Sequence, residues 1–465
     1  MQKTKIVCTI GPSSWDPKVL KKMIENGMNV ARINAAYSDV AELERVAKLV
    51  RSISKEVALM LDIKGSDVRL NDFGEAIELK KGQEIIVGNS SEDKIYPKNH
   101  LTLYKDVKKG QVIFFDDGSV KAEITGVWSN KIHCKILEGK VLKPGKSMNT
   151  PGIYLSIPTV TTTDKEQIEF AIKDKWDFVA ASYIRDARDA REVKKAVEGT
   201  DLKIIAKIEE GMGVSNIDEI LEIFDGIMVA RGDMGVELPF EKLPVIQKEL
   251  IRKCNEAAKP VITATQVLDS MIKNPSPTRA EISDVANAIW DGTDAIMTSG
   301  ETSAGEYPAE TVETISRIAR EIEQHDTPSL ISIGPGPDQE FKIDYALANA
   351  AFDMCISADV TKVLAISRLG QLPRLLARYD LPVPIYTLVQ SDTLMRQLHL
   401  TKGIKAFKFN KFYKDRDSAI DGMLRFAKEK NLITKDDRIL IVGRSSVETF
   451  HPNLFEYIDM REKEL

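Results

Sequence analysis

A chain of 465 residues exceeds what one core fills and, at roughly one domain per 150 residues, predicts about three domains. With 65 Lys and Arg against 70 Asp and Glu, the net charge of -5 excludes a global pull toward nucleic acid or membrane surfaces, so any anionic ligand needs a local site. The four scattered cysteines (Cys8, Cys134, Cys254, Cys355) and the absence of any run of about 18 apolar residues exclude a disulfide framework, a structural zinc site and a membrane span, and fit a soluble cytoplasmic protein.

Taken in chain order, TKIVCTI opens a series of short apolar runs of strand character, continued by MNVARIN, VALMLDI, DFVAASY, KIIAKIE, GIMVARG, PVITATQ and AIMTSG. Between most of them lie amphipathic segments of helical period, among them VAELERVAKLVRSI, DKEQIEFAIKDK and RAEISDVANAIWDG. Strands this apolar, alternating with helices, predict a parallel sheet covered on both faces, and about eight pairs predict a closed (β/α)8 TIM barrel ahead of an open doubly wound sheet. After LDIKGSDVR the pattern changes to short alternating strands with turn signals, as in FFDDGSVKAEITGV, and helices resume near Asp164. Residues 66–156 thus read as a small all-β, barrel-like domain inserted after the third barrel strand, on the face where such barrels carry their active sites. A mobile lid is the natural expectation. The Gly- and Pro-rich stretch SIGPGPDQE then separates a smaller open α/β region, with KVLAIS, PIYTLV and RILIVG as its strands. The expected division is a barrel over 1–65 and 157–326, a lid over 66–156 and a C-terminal α/β regulatory domain over 327–465.

Polar residues gather at the carboxyl ends of the barrel strands: Arg32 and Asn34, Asp62 and Lys64, Ser182, Lys207 and Glu209, Arg231 and Asp233, Thr265 and Gln266, Ser299 and Glu301. In KIIAKIE, Lys207 and Glu209 are two apart and share one side of the strand. One such pair reads as a solvated strand end; its repetition on strand after strand points to a common cavity. Carboxylates (Glu209, Asp233 and also Glu301) beside cations (Lys207, Arg32, Arg69) suit a divalent metal plus phosphate, and oxygen ligands without His or Cys favour Mg²⁺ or Mn²⁺ over zinc. VARGDMG leads through Gly232 into a short helix start, whose free backbone N–H groups suit a carboxylate or phosphate. In NPSPTRAEISD, Thr278 or Pro277 starts a helix.

TKIVCTIGPSS, GMNVARIN, LDIKG, KIE, MVARGD, ATQVLDSM, PTRAE, SDVANA and SGET follow one another in the order and spacing of pyruvate kinases. The chain resembles that family through the barrel and the insert (DDGSV, NTPG) and less in its last third. The resemblance implies phosphoryl transfer from phosphoenolpyruvate to ADP, giving pyruvate and ATP, with Mg²⁺ (or Mn²⁺) and usually K⁺, in a cytoplasmic homotetramer. It implies that Lys207 stabilises the phosphoryl group in flight, Glu209 and Asp233 hold the divalent ion, and Arg32 contacts the substrate phosphate. Gly232 and Asp233 would receive the substrate carboxylate, Thr265 would stand beside the enolpyruvate methylene, and Ser299 would complete the substrate site. Arg69 and, from the lid, Lys146 match nucleotide-phosphate contacts.

The same comparison exposes departures. Asn34, Asp62 and the carbonyl of Ile63 match monovalent-cation ligands, but Ala36 replaces a serine ligand, and Tyr37 replaces a histidine near the nucleotide. Asp67 stands where K⁺-dependent members carry glutamate and K⁺-independent ones lysine; an acid supplies no positive charge, so residual K⁺ dependence is expected. SRLGQLPR, with Leu369 and Leu372, lacks the hydroxyls of a fructose-bisphosphate loop, so that sugar is not expected to activate. VGRSSVETFHP, with Arg444, Ser445 and Ser446, reads equally as a site for another phosphorylated effector and as a plain loop. Two rival readings are weaker. A Schiff-base role for Lys207, as in a barrel aldolase, needs a depressed amine pKa that Glu209 opposes, and a non-catalytic sensor with a decayed barrel would not need Lys207, Glu209, Asp233 and Thr265 intact.

Overall fold

The computed structural model describes residues 2–325, 342–411, 415–444 and 452–463; the SIGPGPDQE linker, Ser445 and Ser446 lie outside them. Eight parallel strands, Lys5–Thr9, Val30–Asn34, Ala58–Ile63, Phe178–Ala181, Lys203–Ile208, Gly226–Ala230, Val261–Ala264 and Ala295–Thr298, pair in sequence order, and the eighth closes on the first. This is the closed barrel expected, not an open sheet. Thr278 caps the helix Arg279–Trp290 and forms a capping box with Glu281, so the helix start belongs to Thr278 rather than Pro277.

Strand periodicity decides what reaches the site. Val30, Met60, Ala180, Ile205 and Met228 point into the barrel, where Leu400 of the C-terminal region joins them, while Ala31, Leu61, Ala181, Ala206 and Val229 face the surrounding helices. Carried two residues further toward the carboxyl ends, the inward parity selects Arg32, Asp62, Ser182 and Lys207. The apolar interior therefore ends in a polar layer made from four adjacent strands.

The insert folds on its own apolar core, with Phe115, Ile124 and Ile136 fully buried. Its five-stranded antiparallel sheet runs Met148–Asn149, Val112–Phe115, Val120–Trp128, Lys131–Glu138, Glu84–Val87, beside a two-stranded ribbon of Ile77–Glu78 and Val141–Leu142. The two edges of this sheet are linked by backbone bonds through short segments between them: the Met148 N–H donates to the Val68 carbonyl, the Lys98 N–H to the Arg69 carbonyl and the Gly88 N–H to the Ile95 carbonyl, giving a ring of backbone pairing around the core of the insert. The Asp116–Ser119 turn of this insert rests against the barrel, with a Cβ on Gly118 falling 3.4 Å from Val236 Cγ1.

In the C-terminal region, strands Ile404–Lys408, Ile385–Val389, Lys362–Ile366 and Arg438–Gly443 are parallel, and Leu454–Asp459 adds antiparallel to the last of them. The first and last of these escaped the sequence reading. This sheet is tied to the barrel through Asp177, whose fully buried carboxylate accepts from Arg396 Nε (2.8 Å), Arg51 Nη2 (3.0 Å) and the Leu59 N–H (2.8 Å). Removing one of its two cations leaves this buried carboxylate under-compensated, with Arg51 and the Leu59 N–H alone. Arg396→Met is therefore expected to cost about 3 kcal/mol, read as a lower urea midpoint; an unchanged midpoint would show that the cluster bears no stability. Among the described residues no helix is long and apolar enough to cross a membrane.

Candidate active site

Lys207 is the hub of the polar layer. Its ammonium lies 2.9 Å from Glu209 Oε1 and 3.2 Å from Asp62 Oδ1, and donates to Ser182 Oγ at 2.7 Å. Asp62 turns its other oxygen to Arg32, at 2.7 Å from Nε and 2.6 Å from Nη2, and Arg32 Nη1 donates to Thr9 Oγ1. The result is an alternating row, Arg32, Asp62, Lys207, Glu209, in which every side chain is 12% exposed or less. Burial would drive the Lys207 amine neutral, but Asp62 and Glu209 outweigh it and hold the ammonium above its ordinary range. Burial likewise opposes the Asp62 carboxylate, and Arg32 and Lys207 keep it below the usual carboxylate range.

Glu209 is less comfortable. Burial pushes its carboxyl up to about 7 against the pull of Lys207, and Asp233 adds to the rise. Asp233, in the first turn of the short helix Arg231–Glu237, stands within hydrogen-bonding reach of Glu209; burial raises its pKa against the pull of Lys207, and Asp117 of the lid turn adds to the rise. Among the described residues no three acidic, His or Cys side chains converge into a ready metal cage. Two facing carboxyls that repel their own protons' loss fit a divalent cation that takes its remaining ligands from water and substrate oxygens. The Tyr183 N–H donates to Glu209 Oε2 at 2.6 Å and fixes which oxygen faces Lys207.

At the seventh strand the inward parity ends with Ala264, so Thr265 would face the helices if the strand continued. Left-handed backbone at Thr265 (φ 63°) and Gln266 (φ 51°) re-aims it, and Thr265 Oγ1 accepts from the Gly232 N–H at 2.8 Å. The helix starts at Arg231 and the Gly232 donor is occupied, a correction to the free N–H expected there.

The remaining expected residues divide between neighbours of the hub and separate sites. Asn34 Oδ1 accepts from the Ala36 N–H and the Ile63 carbonyl from Ser182 Oγ, so with Asp62 all three monovalent-ion candidates have protein partners. Each oxygen can accept a further bond. Arg69 and Lys64 both pair with Asp67, and Lys146 pairs with Asp116 of the lid turn at 3.0 Å. Tyr37 is 83% exposed. Glu301 leaves the metal set: its buried carboxylate accepts from the Leu268 and Ser299 N–H groups, bracing the seventh and eighth strand ends. Ser299 stands at the end of the eighth strand, beside that brace. Leu372 packs in the C-terminal core, while Leu369 is exposed. Sequence reasoning missed Thr9, Tyr183 and Asp117. Thr9 carries an inward-pointing hydroxyl at the end of the first strand, a signal available from parity; the other two had none.

The family model "Pyruvate kinase, barrel domain" matches residues 1–312, and "Pyruvate kinase, alpha/beta domain" matches 345–455. The chain is 44% identical over 421 residues to a pyruvate kinase of Sporosarcina psychrophila, covering 87% of this chain and 71% of that one. It is 40% identical over 462 residues to that of Clostridium perfringens, covering 95% and 96%. A crystal structure of a pyruvate kinase from Cryptosporidium parvum superposes with a TM-score of 0.90 at 32% identity, covering 99% of this chain and 96% of that one.

Proposed function

From the premise that this chain belongs to the pyruvate kinase family, and so transfers the phosphoryl group of phosphoenolpyruvate to ADP, we propose that Lys207 faces the phosphoryl group in transit. The observation that carries this is the Lys207 ammonium held between Asp62 and Glu209 at 3.2 and 2.9 Å, charged and fixed before any substrate arrives. Preorganised charge of this kind is the main source of catalysis in phosphoryl transfer. Arg32, anchored by Asp62 and Thr9, binds the substrate phosphate. Glu209 and Asp233 hold the divalent ion, Mg²⁺ or Mn²⁺, which when bound neutralises charge on the phosphoryl oxygens. The substrate carboxylate takes the Gly232 N–H in exchange for Thr265 Oγ1, freeing that hydroxyl to face the methylene carbon where the enol is protonated. Arg69 and Lys146 exchange Asp67 and Asp116 for nucleotide phosphates as the lid closes, and Ser299 borders the substrate.

The family generally uses K⁺. Here Asp67 absorbs the charge of both Lys64 and Arg69, leaving no spare cation to stand in for a monovalent ion, and Asn34, Asp62 and the Ile63 carbonyl are proposed to hold K⁺. A coupled assay of pyruvate formation with each cation omitted in turn tests the whole reading. Turnover should vanish without divalent ion and fall several-fold when tetramethylammonium replaces K⁺; full rate in potassium-free buffer would remove the monovalent site. The same reading gives a cytoplasmic homotetramer, insensitive to fructose 1,6-bisphosphate because Leu369 and Leu372 offer no hydroxyl, with any phosphorylated effector bound near Arg444.

A further inference from the structure

Two consecutive non-glycine residues in left-handed backbone, one of them β-branched, are strained by about 1–3 kcal/mol each and persist only where their surroundings over-determine them. At Thr265 and Gln266 one side chain takes the backbone carbonyls of the turn. Arg231 Nε donates to the Ala264 carbonyl at 3.2 Å, and Nη2 donates to the carbonyls of Thr265 (2.7 Å) and Gln266 (3.2 Å). Nη1 donates to Asp284 Oδ2 (2.6 Å) on the next helix and to Gln247 Oε1 (3.3 Å). A guanidinium has five N–H donors, and all five are spent on protein, so Arg231 has none left for a ligand.

We propose that Arg231 is a positioning residue for the reaction, holding the left-handed Thr265–Gln266 turn so that the Thr265 hydroxyl stays in the site. Before substrate binds, the Gly232 N–H also holds Thr265 Oγ1 from the other side; once the substrate carboxylate takes that donor, the Arg231 fork is what keeps the turn in place. Without Arg231 three carbonyls lose their shared donor, the turn relaxes toward ordinary backbone, and strand parity returns Thr265 to the helix side. Lysine cannot replace it: a single ammonium cannot serve three successive carbonyls in the fixed fork they present. The inference rests on the reading that Thr265 stands at the enolpyruvate methylene.

The test is Arg231→Lys in the full-length enzyme. A displacement of about 1 Å at a reacting group costs roughly 10²-fold, so kcat should fall by about that factor while KM for phosphoenolpyruvate stays within about threefold. Exchange of pyruvate methyl protons with D2O, which reports enol protonation alone, should fall in parallel with kcat, and Mn²⁺ affinity should not change. Glycine takes positive φ without penalty, so adding Gln266→Gly to Arg231→Lys should recover at least about tenfold of the lost rate. A kcat for Arg231→Lys within threefold of the parent overturns the proposal, as does a double variant no faster than the single one. If Arg231→Lys does not fold, Asp284→Ala, which removes the acceptor at one end of the guanidinium, should give a smaller loss in the same direction; no loss overturns the proposal. Thr265→Ala separates the two layers. Full methyl exchange in that variant removes the reading beneath the inference, whereas impaired exchange there with intact Arg231→Lys removes the inference alone.

Discussion

Replacing Lys207 with methionine is expected to lower kcat by roughly 10³-fold or more, with the barrel intact. Methionine fills the same unbranched space, Asp62 keeps its paired contact with Arg32, and Glu209, without the ammonium that opposes burial, takes up a proton instead of standing as a bare buried charge, so the loss falls on chemistry more than on folding. What disappears is the one cation placed between Asp62 and Glu209, where no rearrangement can bring a substitute: Arg32 is committed to Asp62 and Thr9, and Arg69 to Asp67. Lys207→Arg should also fail, because a planar fork cannot occupy the point defined by Asp62, Glu209 and Ser182. The check is kcat at saturating phosphoenolpyruvate and ADP, with Mn²⁺ binding measured beside it. Wild-type turnover in Lys207→Met would move the phosphoryl-stabilising charge elsewhere and reopen the sensor reading. The aldolase alternative is already disfavoured, since an amine held protonated by two carboxylates is a poor nucleophile at neutral pH.

The barrel was legible because its signal is local and repeated. Each strand is a short apolar run, each helix an amphipathic one, and period two along KIIAKIE places Lys207 and Glu209 on one side without reference to any other residue. What was not legible depends on registration between distant segments. That Asp62 serves Lys207 as well as Arg32 follows from strand pairing, Asp62 beside Ala180 and Lys207 beside Met228, which no single run of sequence encodes. Glu301 sits at a strand end like Glu209, yet its carboxylate turns back onto two backbone N–H groups, a choice made by the loops around it. The left-handed backbone at Tyr183, Thr265 and Gln266 leaves no mark where glycine is absent. In the C-terminal sheet, IKAFK and LFEYID were passed over for a different reason: both are edge strands whose apolar residues are interrupted by charged ones, Lys405 and Lys408 in the first and Glu456 and Asp459 in the second, so their apolar content is diluted.

Metal affinity should weaken tenfold per pH unit as the pH falls below about 7, because a divalent ion at Glu209 must displace the proton that burial favours there. The sign in stability is the reverse of the usual carboxylate case. The folded-state pKa of Glu209 lies near 7, above its ordinary 4.5, so between those values the folded protein binds more protons than the unfolded chain. Metal-free stability therefore declines as the pH rises through that window, and the raised Asp233 carboxyl pushes in the same direction. Saturating Mn²⁺ supplies the positive charge that the proton supplied and removes the decline. The increase in thermal midpoint on adding Mn²⁺ should accordingly be larger at pH 8 than at pH 5.5. Glu209→Gln, neutral at every pH and a poor ligand, should flatten that difference and lower kcat by roughly 10²-fold. An Mn²⁺ increment equal at both pH values, or one that survives intact in Glu209→Gln, would mean that the facing carboxyls of the fifth strand and the following helix do not share the ion.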